Sequence, residues 1–280
     1  MISIKDLSFS YKRSKPLIKE LDLELPSGNI YGLFGLNGAG KTTLLNIITG
    51  MIFPKSGACY LHAQDTKKRA VQTLREMYIV PEQFDLPKIT GNKYVETHRP
   101  FYPRFDEDLM LTILKEFEVD LLQNLLQLSF GQRKKFLIAF AIATNTKLLI
   151  FDEPTNGLDI PSKSQFRRII ASLNLEEKCV LISTHQVRDL GSMIDHLIVL
   201  KNGSIVFDHS VQEIEKRLSF QKINSDSSTP YLYGEETLGE IHAILPPSDN
   251  RSLELDLELL FNGIISKTDE ISEHFNGVKS

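Results

Sequence analysis

The period of apolar and polar positions changes along the chain. Near the start, the segment ISIKDLSFSY alternates with one slip through Ile2, Ile4, Leu7 and Phe9, and the nearby segment LDLEL alternates strictly. A period of two is typical of strands that bury one face and expose the other. We therefore expect the chain to open with a small antiparallel element.

Helical spacing and short apolar runs alternate further along the chain. The segment FDEDLMLTILKEF offers Asp106 as an N-cap and repeats apolar side chains every three or four residues, which predicts a helix. GQRKKFLIAFAIAT and PSKSQFRRIIASL are also interpreted as helices. LLIF and CVLIST are continuous apolar runs, which are typical of strands buried on both faces. Strands that alternate with helices predict an α/β domain with a largely parallel sheet.

The final third of the chain carries a hairpin signal and then a change of composition. HLIVLKNGSIVFD predicts two strands around Asn202 and Gly203. After about residue 215 the chain becomes polar and rich in turn residues, so we place a domain boundary there. In the tail, LELDLELLF alternates like a strand, whereas Leu255, Leu259 and Leu260 fit one helix face. Both interpretations of the tail stay open at this stage.

Composition narrows the class of protein. The 280 residues are 41% hydrophobic, which suits one large domain with an appendage or two modest domains. The net charge is -4 and no long basic stretch occurs, so we expect no nucleic-acid partner. Cys59 and Cys179 are far apart and predict neither a disulfide framework nor a zinc site. We expect no signal peptide, because Lys5 and Asp6 are charged and no apolar run follows them. We expect no membrane-spanning helix, because the longest apolar run is only FLIAFAIA.

A glycine-rich stretch lies between a predicted strand and a predicted helix. GLNGAGKTT matches G-x-x-x-x-G-K-[ST] through Gly35, Gly40, Lys41 and Thr42. In such a loop the backbone N–H groups and the helix dipole bind phosphate, the lysine contacts the outer phosphates, and the hydroxyl binds Mg²⁺. A tight turn whose glycines serve only packing is the alternative. The predicted ATP-binding positions are Gly35, Leu36, Asn37, Gly38, Ala39, Gly40, Lys41, Thr42 and Thr43.

A second metal-binding carboxylate is predicted at the end of a buried strand. In LLIFDEP, Asp152 ends the strand and can hold Mg²⁺ or its water. Glu153 follows directly and can polarise a water for attack on the γ-phosphate. An Asp-Glu-Pro sequence alone would fit a solvated turn. Together with the glycine loop, it favours Thr42 and Asp152 as metal ligands and Glu153 as a catalytic residue.

Four motifs in fixed order carry a family resemblance. With GLNGAGKTT, LSFGQRKK, LLIFDEPTNGLD and ISTH, the chain closely resembles the ATP-binding subunit of an ATP-binding cassette (ABC) transporter over about residues 1–215. The resemblance implies an antiparallel β subdomain, a RecA-like parallel-sheet core of the P-loop NTPase type and a helical subdomain at about residues 88–140. Residues 216–280 would form a small C-terminal appendage.

The resemblance also implies roles for residues outside the glycine loop. Tyr11 looks like the aromatic that stacks on adenine, although a core aromatic at a strand end is the alternative. The segment LSFGQ resembles the family signature, with Phe130 in place of the first glycine of the commonest form. Its Ser129 and Gly131, followed by Gln132, would contact the γ-phosphate of a nucleotide held by the opposite subunit.

Two further loops complete the implied site. His185 looks like the switch histidine that bonds the γ-phosphate, and with Lys41 and Glu153 it completes the candidate catalytic set. In IVPEQFDLP the spacing favours Glu82 as the residue offered to Mg²⁺, with Gln83 beside it, and the choice between them stays open. The resemblance also implies a loop that connects the two ATP sites of a dimer, and in this chain that loop is Asn156, Gly157, Leu158 and Asp159.

Three functions are compatible with these motifs. The resemblance implies a Mg²⁺-dependent ATPase, acting as a homodimer or with a close paralogue, on the inner face of the membrane through a polytopic permease. FYPRFD, NGLD and the short helical segment favour export.

A nucleotide switch on a ribosomal or DNA partner is disfavoured, because the chain has one P-loop and no basic arm. A regulatory module without turnover is disfavoured by Glu153 and His185. The tail could bind a partner, stabilise a dimer or cover the sheet.

Overall fold

Three β-sheets and the helices packed against them form the fold. A computed structural model describes residues 1–11, 15–225, 229–237, 239–247 and 253–275, except for the side chain of Ser192. The strands are β1 (Ile2–Phe9), β2 (Ile18–Leu25), β3 (Asn29–Phe34), β4 (Ser56–Leu61), β5 (Gln64–Asp65), β6 (Met77–Val80), β7 (Leu148–Asp152), β8 (Cys179–Thr184), β9 (His196–Lys201), β10 (Ser204–Ser210), β11 (Ser219–Asn224), β12 (Tyr233–Thr237) and β13 (Glu240–Leu245).

The helices connect these strands. They are α1 (Lys41–Ile48), α2 (Val71–Leu74), α3 (Gly91–His98), α4 (Glu107–Glu116), α5 (Phe130–Ala143), α6 (Ile160–Ala171), α7 (Val211–Arg217), α8 (Leu257–Ser266) and α9 (Thr268–Ser272). Short 3-10 turns span Thr66–Lys68, Arg99–Phe101, Val187–Asp189 and Gly191–Met193. Among the described helices, none combines the length and apolar character needed to cross a bilayer.

The antiparallel opening predicted from the alternating pattern is confirmed. β1 pairs antiparallel with β2 in a sheet of order β2-β1-β4-β5. The slip in the pattern is a bulge, because the register shifts between Ile4 and Leu7 and Asp6 has a φ of 48°. An extra residue at this point moves the buried positions from even to odd numbers, so Ile4 and Leu7 face the same core.

A six-stranded sheet of order β10-β9-β3-β8-β7-β6 forms the centre of the fold. The strands from β9 to β6 are parallel, and β10 returns antiparallel through the predicted turn at Asn202 and Gly203, which both have positive φ. Four neighbouring strands, β3, β8, β7 and β6, therefore end at the same edge. Ligands of α/β proteins bind outside this carboxyl edge.

The two faces of the six-stranded sheet bury different partners. One face packs with α1 against the four-stranded sheet, and the apolar cluster between them includes Leu33, Leu45 and Ile150. The other face packs against α4, α5, α6 and α8, around residues such as Phe34 and Phe151. Because side chains of a strand alternate between faces, Leu33 and Phe34 contribute to different cores.

The tail forms a sheet of order β11-β13-β12 and a helix that joins the main core. Asp256 caps α8 at its N-terminus, so the alternation LELDLELLF belongs to a turn followed by a helix rather than to a strand. The ring of Phe261 lies 6.2 Å from that of Phe34, which connects α8 directly to β3. The division of the chain at residue 215 stays a prediction.

Candidate nucleotide-binding site

The glycine loop joins β3 to α1 at the carboxyl edge of the central sheet. Gly38 and Gly40 have φ values of 79° and 106°, conformations that favour glycine over residues with a side chain. α1 begins at Lys41 after the N-cap Gly40, which has no side chain to cap the helix, so the first backbone N–H groups of α1 can bind an anion. A cavity of about 410 Å³ lies here, lined by Leu17, Asn37, Gly38, Ala39, Gly40, Lys41, Thr42, Thr43, Glu82, Glu153 and His185.

Lys41 places a buried cation on this cavity. Its side chain donates a 2.7 Å hydrogen bond to the carbonyl oxygen of Gly35, and its Nζ lies 3.7 Å from Oε1 of Glu153. Burial lowers the pKa of Lys41, and the neighbouring charge of Glu153 opposes that shift. The ammonium group is thus positioned within reach of both the loop and the candidate catalytic carboxylate.

Thr42 and Asp152 form an oxygen-rich pair. The hydroxyl of Thr42 donates a 2.8 Å hydrogen bond to Oδ2 of Asp152, and the hydroxyl of Ser183 donates to Oδ1. Burial raises the pKa of Asp152, while the two hydroxyl donors lower it. A hydroxyl and a carboxylate side by side fit Mg²⁺, which takes one or two protein oxygens and completes its shell with water and phosphate.

Glu153 is held from the end of β8. Its Oε2 accepts a 2.9 Å hydrogen bond from the hydroxyl of Thr184, and its Oε1 accepts one of 2.9 Å from the backbone N–H of His185. The same Oε1 lies 2.7 Å from Nδ1 of His185. A carboxylate fixed in this way and only 4% exposed can orient or deprotonate a water molecule in the cavity.

Glu82 reaches the cavity from the end of β6. Its Oε1 accepts a 3.1 Å hydrogen bond from Nδ2 of Asn156, whose own Oδ1 accepts one of 3.2 Å from Nε2 of Gln186. Glu82 lines the cavity, whereas Gln83 is exposed. The geometry therefore places Glu82, rather than Gln83, beside the candidate metal ligands.

Tyr11 stands next to the first turn of α1. Its hydroxyl lies 3.1 Å from Oγ1 of Thr43, and its ring meets the ring of Phe9 edge to face at 4.9 Å. The side chain is 53% exposed, which does not fit the core-aromatic alternative. Its role in adenine stacking stays a prediction.

The signature segment, Leu128–Gln132, lies outside this cavity. The Ser129 hydroxyl accepts a hydrogen bond from the Gln132 backbone N–H, and the Gln132 side chain accepts one from the Ser129 N–H, which is a complete capping box for α5. A Cβ on Gly131 would come within 2.9 Å of the Gly157 carbonyl oxygen, so the segment packs against the loop after Glu153.

Asp159 is also separate from the cavity. Its side chain accepts a 2.9 Å hydrogen bond from the backbone N–H of Ser162 as the N-cap of α6, and the hydrogen bonds from Ser162 lower the pKa of Asp159. The fold thus brings the glycine loop, Asp152, Glu153, His185 and Glu82 together. It keeps the predicted positions Ser129, Gly131, Gln132 and Asp159 away from the cavity of their own chain.

Three residues of the site were not predicted. Ser183 and Thr184 end β8 directly beside the end of β7, and polar residues at the end of an apolar run were the available signal. Lys134 is fully buried on α5 and donates to the carbonyl oxygens of Glu153 and Asn156. The sequence could have indicated this burial, because Lys134 lies on the same face of the predicted helix as the apolar residues three and four positions later. Burial lowers the pKa of Lys134 to about 8.

Comparisons with known proteins identify relatives of this chain. The ABC transporter family model matches residues 18–156. The methionine import ATP-binding protein MetN of Carboxydothermus hydrogenoformans is 31% identical over 229 residues, which cover 76% of this chain and 67% of that protein. The phosphonates import ATP-binding protein PhnC of Wolinella succinogenes is 29% identical and covers 93% of this chain and 98% of its own length.

A solved structure shares the fold. It is a dimeric ATP-binding cassette in a post-hydrolysis state, bound to ADP and Pi, and it is 26% identical to this chain. The match has a TM-score of 0.67 and covers 75% of this chain and 99% of the cassette. About a quarter of this chain therefore has no counterpart in that cassette.

Proposed function

This chain belongs to the ABC transporter family as an ATP-binding and ATP-hydrolysing subunit, and from this premise we propose that two copies, or one copy and a close paralogue, bind two Mg·ATP between them. Closing and reopening of the pair would drive a separate polytopic permease, which holds the chain on the inner face of the membrane. The observation that carries the proposal is the convergence of Lys41, Asp152, Glu153 and His185 beside the glycine loop.

Nucleotide binding follows from the loop and α1. The backbone N–H groups around Gly38 and Gly40 and the N-terminus of α1 bind the phosphate oxygens, and Lys41 exchanges part of its bonding with Gly35 for the outer phosphates. Thr42 and Asp152 would hold Mg²⁺, which would supply positive charge to the phosphate oxygens. The exposed ring of Tyr11 stacks on the base.

Hydrolysis depends on Glu153. Its carboxylate orients a water for in-line attack on the γ-phosphorus and accepts a proton as the bond to the β–γ bridging oxygen breaks, releasing ADP and phosphate. Thr184 and the backbone of His185 hold the carboxylate in place. The imidazole of His185 then bonds a γ-phosphate oxygen through its other nitrogen.

A second chain completes each site. Ser129 and Gly131 lie away from the cavity of their own chain, and Ser129 is exposed at the start of α5. We therefore assign these residues to the nucleotide held by the partner, with Asp159 in the loop between the two sites. Ile160, which is 83% exposed beside Asp159, would be covered in the dimer.

Export is the direction that we propose. The support is the short helical segment between Glu82 and Leu128, which holds α3 and α4. The names of MetN and PhnC describe import, so direction needs its own measurement. Flux of a labelled substrate in vesicles with the chain outside gives the answer: uptake on ATP addition supports export, and ATP-driven loss of preloaded substrate contradicts it.

The central experiment measures ATPase activity against chain concentration, with and without the permease. We expect specific activity to rise with chain concentration, to vanish with EDTA and to be absent in a Lys41→Ala control. We expect the chain to sediment with membranes only when the permease is present. Specific activity independent of concentration would contradict the shared sites, and a chain that never joins membranes would contradict the transport role.

A further inference from the structure

Lys134 is a buried cation that the hydrolytic mechanism above does not use. It lies on α5, five residues after the capping serine Ser129, and its side chain is fully buried. Its Nζ donates hydrogen bonds of 2.9 Å to the carbonyl oxygen of Glu153 and 3.0 Å to that of Asn156. Lysine is almost never fully buried without such partners, because an unpaired buried charge is costly.

The backbone that Lys134 holds has an unusual conformation. Glu153 has a φ of 46°, in the left-handed region that residues with a side chain rarely adopt. Its N–H donates a 3.0 Å hydrogen bond to Ser183, and its carbonyl oxygen accepts one of 3.2 Å from the N–H of Asn156. Lys134 adds a charged donor to that same carbonyl. The peptide group after Glu153 is thus held from α5 as well as from its own turn.

Phe130 and its neighbours enclose this contact. The Nζ of Lys134 lies 5.3 Å from the centre of the Phe130 ring, and that ring stacks on Phe84 at 5.3 Å and 17°. Gly157 leaves room for the ring, because a Cβ there would come within 2.7 Å of it. The aromatic residue in the signature segment therefore packs between the loop after Glu153 and the segment after Glu82, with a cation near its face.

We propose that Lys134 is a positioning residue for hydrolysis, which sets the direction of the Glu153 carboxylate from the start of α5 by holding the carbonyl groups of Glu153 and Asn156. This inference rests on the proposed role of Glu153. It connects the signature segment of a chain to the hydrolytic carboxylate of the same chain, whereas Ser129 is assigned to the nucleotide of the partner.

Lys135 is a matched control on the same helix. Its Nζ donates a 3.3 Å hydrogen bond to the carbonyl oxygen of Phe117 and lies 5.8 Å from the centre of that ring. The two lysines therefore make the same kinds of contact, one toward Glu153 and the other toward the end of α4. If loss of charge or packing on α5 were the cause, substitution of either lysine would lower kcat. If loss of positioning is the cause, only substitution of Lys134 lowers it.

The first measurement compares Lys134→Met with Lys135→Met. Each kcat is normalised to the number of sites that bind ATP, so that misfolded chains do not count. We expect Lys134→Met to lower kcat at least about tenfold with the dissociation constant for Mg·ATP changed less than about threefold, because positioning acts on the chemical step. Lys134→Gln keeps amide N–H donors and should retain more of kcat than Lys134→Met. Equal kcat values for Lys134→Met and Lys135→Met would overturn the inference.

A double-mutant cycle separates this inference from the role of Glu153. In a Glu153→Gln background, single-turnover hydrolysis should be the same with Lys134 and with Met at that position, because the group being positioned is already lost. An equal fold loss in both backgrounds would show that Lys134 acts independently of Glu153. If Glu153→Gln alone left kcat unchanged, the proposed role of Glu153 itself would be wrong, which is a different outcome.

Discussion

The two parts of the candidate ATPase site are built in opposite ways. At the edge of the central sheet, Asp152 and Glu153 are 1% and 4% exposed, and residues at the end of β8 hold their carboxylates. At the signature segment, Ser129 is exposed and Phe130 is 42% exposed, and the hydroxyl of Ser129 bonds only within its own helix turn among the contacts described.

This difference indicates which chemistry one chain can perform alone. Buried carboxylates fixed by several donors are preorganised, so in the proposed function the sheet edge would bind Mg·ATP and orient water without large rearrangement. A capped helix start on the surface is stable by itself and still presents a serine and backbone N–H groups to an anion from outside. We therefore expect one chain to bind ATP by itself and two chains to be needed to hydrolyse it.

The largest expected effect is a loss of kcat when the carboxylate of Glu153 at the edge of the central sheet is replaced. Glu153→Gln should lower kcat about 100-fold or more, equivalent to about 3 kcal/mol in activation free energy, because it removes a base held beside the cavity. Binding of Mg·ATP should persist, because Lys41, Thr42 and Asp152 are untouched. Steady-state ATPase and equilibrium binding assays check both parts. Turnover at the original rate would remove Glu153 from the mechanism.

A smaller loss of kcat is expected from a substitution in the signature segment. Ser129→Ala should lower kcat about tenfold, because it removes a donor to the transferred phosphate and an N-cap. Ser210→Ala is the matched control, since Ser210 forms the same capping box at the start of α7 with Glu213. We expect that variant to keep its kcat and to lose only stability.

Mixing the two variants sharpens the comparison. A dimer of one Glu153→Gln chain and one Ser129→Ala chain would have one site with both defects and one site with neither, if Ser129 acts in the partner. ATPase activity should therefore rise above that of either variant alone when they are mixed. A mixture no more active than the average of its components would place Ser129 in the site of its own chain.

The next effect concerns the nucleotide base. Tyr11→Ala should weaken ATP binding about fivefold, because an aromatic ring stacked on a base contributes about 1 kcal/mol. Tyr11→Phe removes the hydroxyl group, which lies 3.1 Å from Oγ1 of Thr43, and keeps the ring, so this variant should bind ATP almost as the original chain does. Titration with a fluorescent ATP analogue measures both. Equal weakening by both variants would assign the effect to the hydroxyl instead of the ring.

The smallest effect is a dependence of stability on pH. Burial lowers the pKa of Lys134 to about 8 in the folded chain, below the ordinary value that the unfolded chain has. Between these two pKa values the unfolded chain binds more protons, so the contribution of Lys134 to the free energy of unfolding rises with pH. Relative to Lys134→Met, the original chain should gain about 1 kcal/mol between pH 7 and 9. Denaturant unfolding at both pH values checks this, and a constant difference would contradict it.

The amino-acid sequence by itself determined the local parts of the site and most of the elements. A glycine loop between strand and helix, a carboxylate pair ending a buried strand and an Asp106 N-cap are each encoded within a few consecutive residues. Their physics is local, since φ preference, period and capping depend on near neighbours. The family model and the relatives confirm the family to which these motifs pointed.

Only the tertiary structure decided the contacts between distant segments. Glu82 lines the cavity and accepts a hydrogen bond from Asn156, 74 residues away. Lys134 donates a hydrogen bond to the carbonyl oxygen of Glu153, 19 residues away. Within the tail, α8 (Leu257–Ser266) is a helix whose Phe261 packs against Phe34 of the central sheet. No local period encodes such pairings, because strand order and burial bring these side chains together only after the sheet has formed.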